Sequence, residues 1–221
     1  MLRIGAMKTM ETQPHSKPLD LGGVKIYPAF VGAMSQTEII DDLRQIICDA
    51  PLFSPQTPYG KPMSVGMTSS GKYGWYSDQR GYRYVDHHPF GNPWPKIPDS
   101  ILKIWAALGD PRKEPDCCLI NFYGETAKMG LHQDKDEKDF SFPVVSVSLG
   151  DDGLFRVGGT SRGGQTRSAW LKSGDVAVLG GEGRMIYHGV DKIRFRSSGL
   201  LKHGGRINLT LFDLAGREVV S

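Results

Sequence analysis

Hydrophobic positions recur with two different periods along the chain. Near the N-terminus Ile39, Ile40, Leu43, Ile46 and Ile47 fall at helical spacing behind Ser35-Gln-Thr-Glu38, a capping-box pattern. A helix is therefore predicted to run to about Ala50 and to stop before Pro51. Val24 to Phe30 reads as a short strand, and a second helix is predicted from Asp99 or Ser100 to Gly109. Residues 51–98 are rich in Gly, Pro and aromatic side chains and read as loop. From Cys117 the period shortens to two. The runs CCLINFY, PVVSVSLG, GLFRVGG, SAWLKSG, DVAVLGG, RMIYHG and RINLTLF are separated by Gly-rich turns. Short strands at regular intervals indicate an antiparallel sandwich or barrel. The expected architecture is α+β, mainly β: residues 1–20 flexible, 21–112 a helical support with a loop-rich lid, and 113–221 the β core.

Composition adds bounds. With 221 residues, 39% hydrophobic and 23% charged, the chain has the make-up of a globular domain and enough length for a sizeable core. No apolar run approaches the roughly 18 residues of a membrane helix, and the first residues lack the apolar stretch of a signal peptide, so the expected compartment is the cytoplasm. The three cysteines have no CxxC or zinc spacing and read as reduced core thiols. Residues 153–221 hold 11 of the 27 Lys and Arg but 5 of the 24 Asp and Glu, a net of +6 against −3 for the remainder. A basic C-terminal half attracts polyanions.

The candidate chemistry centres on Leu131-His132-Gln133-Asp134. On an extended backbone His132 and Asp134 share a face and can reach one ion. His188, in Ile186-Tyr187-His188-Gly189, is the candidate third ligand. Two imidazoles and one carboxylate leave coordination positions open, an arrangement suited to non-haem Fe(II). His15, His87, His88 and His203 have no comparable setting.

The last strand carries a candidate anion site. Alternation puts Arg206, Asn208, Thr210 and Phe212 on one face and Ile207, Leu209 and Leu211 on the other. An inward arginine in a β core is costly unless paired, either with an internal acid or with a bound carboxylate. Asn121 and Tyr123 share a face of the CCLINFY strand and are candidate polar contacts for the same ligand.

At these residues the chain resembles the AlkB family of Fe(II)- and 2-oxoglutarate-dependent nucleic-acid demethylases, especially its bacterial branch. The resemblance rests on MSVGMTSSGKYGW, QRGYRY, NPWPKIP, CLINFYGETAKMGLHQDKDE, PVVSVSLG, SGDVAVLGGEGRMIYHGV and RINLTL, from about Tyr59 to Leu211. It implies a double-stranded β-helix, or jelly-roll, under a nucleotide-recognition lid. It implies catalytic Fe(II) at His132, Asp134 and His188, with O2 as co-substrate and 2-oxoglutarate against Asn121, Tyr123, Arg206 and Asn208. Trp75, Tyr82, Arg83, Tyr84, Asp136 and Arg162 match positions near the substrate base. The implied reaction is oxidative demethylation of 1-methyladenine and 3-methylcytosine in single-stranded or flipped-base DNA, or in RNA, as alkylation repair. No obligate protein partner is evident.

The chain departs from the family's R-x-N-x-T-x-R pattern, because the last position is Phe212. An apolar ring is expected to face the site where the family has a second arginine. The alternative reading is accordingly an AlkB-like nucleic-acid-binding module with weak turnover.

Overall fold

A computed structural model describes residues 17–135 and 137–214. The first strands, β1 (Leu19–Leu21) and β2 (Val24–Tyr27), precede helix α1 (Ala33–Asp49). Strand β3 (Val65–Gly71) and the hairpin β4 (Gly74–Asp78) and β5 (Gly81–Val85) lead into helix α2 (Asp99–Leu108). The remaining strands are β6 (Cys117–Tyr123), β7 (Met129–His132), β8 (Val144–Gly150), β9 (Asp152–Val157), β10 (Arg167–Leu171), β11 (Val176–Leu179), β12 (His188–Arg194) and β13 (Arg206–Phe212). No described helix is long and apolar enough to cross a membrane.

Two antiparallel sheets face one another. The larger has the order β1-β2-β11-β8-β13-β6-β3 and the smaller β10-β9-β12-β7, while β4 and β5 stand apart as a two-stranded ribbon. This is the expected jelly-roll. Alternation along β13 sorts its side chains as the sequence requires. Ile207, Leu209 and Leu211 pack with Ile39, Leu43, Ile101 and Ile104 of the two helices, which cover the outer face of the larger sheet. Phe212 belongs to the other core, between the sheets, with Phe155, Val157 and Leu171.

Several expectations need correction. Helix α1 begins at Ala33, with Gly32 as its N-cap and no side-chain capping bond, so the predicted Ser35–Glu38 box does not form. Ser35 already lies inside the helix. Gln36 instead ties the helix start to its surroundings, donating to the Val31 carbonyl and accepting from the Ser173 hydroxyl. The stretch 51–98 is not simply loop: β3 pairs with β6 along its whole length. The N-terminal part thus contributes β1, β2 and β3 to the main sheet. RMIYHG is not a strand: a single 3₁₀ turn at Gly181–Gly183 precedes it, and β12 starts only at His188. Cys48 is exposed and not a core thiol, whereas Cys117 and Cys118 are buried and all three are free. The segment expected to be flexible lies mostly outside the described residues.

Candidate metal centre and its cavity

The β7–β12 ladder brings the predicted ligands together. His132 ends β7 and is the direct cross-strand partner of His188, which opens β12. Their rings lie 4.6 Å apart, centroid to centroid. Asp134 follows two residues after His132, with its carboxylate 3.7 Å from His132 Nε2 and 3.4 Å from His188 Nε2. One ligand atom from each residue lies within 4.8 Å of the other two. Nδ1 of His132 donates to the Gly130 carbonyl at 2.9 Å, and Nδ1 of His188 to that of Ile186 at 3.0 Å. Both rings therefore turn Nε2 toward the carboxylate, the orientation a metal site needs.

The carboxylate is built to stay charged. Burial works against its charge, but attraction from His188, then His132 and Arg184, outweighs burial and holds Asp134 well below the usual carboxylate range. Its Oδ2 atom is sealed from solvent without a hydrogen bond. A buried carboxylate oxygen in that condition is costly without a cation. The donor set of two imidazole nitrogens and one carboxylate, with one orphaned oxygen, fits a divalent metal such as Fe(II).

This triad borders a cavity of about 480 Å³ between the sheets, within the size range of small-molecule sites. Asn121, Tyr123, Arg206 and Asn208 line one wall, as expected. Arg206 is 1% exposed and makes no ion pair among the described residues. Its Nη2 donates to Ser148 Oγ at 2.7 Å, its Nη1 reaches the carbonyls of Asp151 and Leu171 at 3.4 Å, and its Nε has no partner. The internal acid that would otherwise explain it is missing from its contacts. Asn121 Oδ1 is likewise buried and unpaired, and an amide can turn its NH2 toward a carboxylate. Burial pushes the Tyr123 phenol up to about 12. That hydroxyl stays a hydrogen-bond donor at any physiological pH. Asn208 is fixed by Ser146 Oγ at 2.8 Å and by the Val147 carbonyl at 3.1 Å.

Glycines make this packing possible. A Cβ at Gly153 would stand 2.7 Å from Arg206 Nε, so the absent side chain is where the guanidinium lies. A Cβ at Gly189 would meet the Met129 carbonyl at 2.5 Å, which lets β12 and β7 approach at the histidine pair. The sequence signalled neither role. The inward Ser146 and Ser148 were readable from the alternation of PVVSVSLG.

The β4–β5 ribbon forms the opposite wall. Trp75 and Tyr82 lie on one face of it, rings 6.3 Å apart and 18° from parallel, and both line the cavity. Tyr84 also lines it, but deep: it is 5% exposed and packs on Phe212. Arg83 does not reach the cavity, contrary to expectation. Alternation turns it to the other face, where it donates two 2.9 Å hydrogen bonds to Asp78 and covers the Tyr76 ring. Arg162 stands at the rim, over the Tyr187 ring. Asp136 lies outside the described residues. Phe212 faces the cavity as expected, with Tyr84 edge-on against its ring.

The chain is similar to several known proteins. Residues 23–211 match the model of the 2OG-Fe(II) oxygenase superfamily. An alpha-ketoglutarate-dependent dioxygenase AlkB homolog of Caulobacter vibrioides is 50% identical over 198 residues, 89% of this chain and 90% of that protein. The DNA N(6)-methyladenine demethylase ALKBH1C of Arabidopsis thaliana is 31% identical over 219 residues, 85% of this chain and 48% of that protein. Among solved structures, that of OsALKBH1 superposes with a TM-score of 0.77 at 31% identity, covering 90% of this chain and 100% of that one.

Proposed function

The chain belongs to the AlkB family within the 2OG-Fe(II) oxygenase superfamily and is an Fe(II)- and 2-oxoglutarate-dependent dioxygenase, and on that premise we propose that it removes methyl groups from the ring nitrogens of 1-methyladenine and 3-methylcytosine in single-stranded DNA. One observation carries the substrate class. The His132–Asp134–His188 cluster and the Trp75–Tyr82 pair open into the same cavity. An oxidising centre facing two aromatic rings suits a flat base taken out of its stack. The relative named as a DNA demethylase supports the nucleic-acid reading.

In this reading His132, Asp134 and His188 would hold Fe(II), which when bound would supply the oxidising chemistry, with O2 as oxidant and 2-oxoglutarate as the co-substrate converted to succinate and CO2. The chain's own residues do the rest. Arg206 takes the far carboxylate of 2-oxoglutarate through its free Nε and neighbouring Nη groups, and the neutral Tyr123 hydroxyl donates to the same ligand. Asn121 and Asn208 hold its chain. Trp75 and Tyr82 stack the base and exclude water from the methyl group. Lys135 and Arg162, both at the cavity, meet the flanking phosphates. The hydroxylated methyl leaves as formaldehyde when its C–N bond breaks, the electron pair staying on the ring nitrogen and the hydroxyl proton passing to solvent. RNA offers the same base faces and phosphates and is the second substrate to test.

Phe212 favours one further reading, a binding module that turns over weakly, because it puts an apolar ring on the cavity wall. Succinate and formaldehyde release from the purified chain, with and without oligonucleotides carrying each lesion, separates the readings. Lesion-dependent release of both products supports demethylation. Tight oligonucleotide binding without release supports the binding module, and succinate formed equally without nucleic acid excludes both.

A further inference from the structure

Arg184 does not line the cavity, yet it is 3% exposed and its guanidinium is committed in three directions. Nη1 donates to the backbone carbonyl of Asp134 at 2.6 Å, and Nε to that of Phe142 at 3.0 Å. Nη2 pairs with the buried Glu137 carboxylate at 2.9 Å. The Phe140 ring covers it, 5.3 Å away. All these partners lie between Asp134 and Phe142, in the segment that follows β7. Arg184 itself ends the 3₁₀ turn four residues ahead of His188. A second tie runs in parallel, from Gln133 Nε2 to the Met185 carbonyl at 2.6 Å.

The two segments so joined carry different members of the triad. His132 and His188 are held by the β7–β12 ladder, but Asp134 lies beyond the end of β7 and has no strand partner. Without another restraint its backbone would be free to move the carboxylate away from the imidazoles. A guanidinium fork fixes orientation as well as distance, which a single ammonium does not. We propose that Arg184 is the positioning residue of the metal centre, holding the Asp134 backbone against the segment that delivers His188 so that the three ligand atoms are in place before an ion binds.

The proposal rests on the triad reading, and its test separates the two. Co(II) alone is titrated calorimetrically into the metal-free full chain and into Asp134→Ala, Arg184→Met and Arg184→Lys. The melting of each metal-free protein and the visible absorption of each Co(II) form are read alongside. Residues that orient metal ligands typically contribute 10–100-fold in metal affinity. Arg184→Lys keeps the charge and loses the fork, so it is expected to weaken Co(II) about ten-fold and alter the ligand-field bands. Arg184→Met is expected to weaken it further; should Arg184→Met fail to fold, Arg184→Lys decides. A folded Arg184→Lys protein with a lower melting point but unchanged Co(II) affinity and spectrum assigns Arg184 a purely structural role and overturns the proposal. Unchanged Co(II) binding in Asp134→Ala overturns the triad itself, and the proposal with it.

Discussion

The Phe212 ring meets the Tyr84 ring edge-on, centroids 5.5 Å apart and planes 64° apart. Phe212 ends the interior strand β13 and Tyr84 belongs to the β4–β5 ribbon, so this contact fastens the ribbon to the core. The residue that departs from the family pattern therefore packs where a charge was expected. Phe212→Ala should destabilise the fold by roughly 3–5 kcal/mol, the usual cost of deleting a buried phenyl ring. The loss should be seen as a lower unfolding midpoint, with faster hydrogen exchange concentrated in residues 74–85. Uniform loss of protection throughout the chain would show that the contact does not anchor the ribbon.

Trp75→Ala removes one stacking wall and no ligand. Stacking contributes roughly 1–3 kcal/mol per base, so binding of a methylated oligonucleotide should weaken by about five-fold to more than a hundred-fold. Co(II) and 2-oxoglutarate affinities should stay at wild-type values. Collapse of the fold on this substitution would mark Trp75 as core, in line with its packing against the inter-sheet cluster.

Gly153→Ala tests the anion site without touching a charged residue. The new methyl group would collide with Arg206 Nε, and the guanidinium can yield only toward the cavity, by leaving its hydrogen bonds. The 2-oxoglutarate affinity should fall at least about ten-fold, as for a lost charge-assisted contact, while Co(II) binding is retained. Wild-type 2-oxoglutarate affinity in the folded variant would remove Arg206 from the co-substrate site.

Thiol reactivity reports the burial of β6. Burial pushes Cys118 up to about 12 and Cys117 well above its ordinary value. The thiolate is the reactive form, and a raised pKa keeps both groups protonated even at pH 9. A disulfide reagent should therefore consume one thiol per native chain, that of the exposed Cys48, and three after denaturation. Rapid reaction of two or three thiols at pH 8 would show that β6 opens in the native state.

Local pattern alone determined a good part of this protein. Helical spacing marked α1 and α2, because each buries one face on the sheet. Period-two alternation marked most of the β core and sorted Arg206, Asn208 and Phe212 from Ile207, Leu209 and Leu211. The same alternation paired Asn121 with Tyr123, since neighbours two apart on a strand share a face, and the two-residue spacing marked His132 and Asp134 although Asp134 lies just past the end of β7. Tertiary structure decided what depends on approach between distant segments. The strands β3 to β5 were hidden in a Gly- and Pro-rich stretch, because their stability comes from pairing with β6 and with each other and not from their own propensity. Arg83 and Tyr82 are adjacent in sequence, yet only the placement of the ribbon over the cavity shows which one faces the site. The Arg184 fork, the clearance at Gly153 and Gly189, and the Phe212–Tyr84 contact each join residues far apart in the chain. Close packing and the need to satisfy buried polar groups selected them, and neither requirement leaves a local signature in sequence.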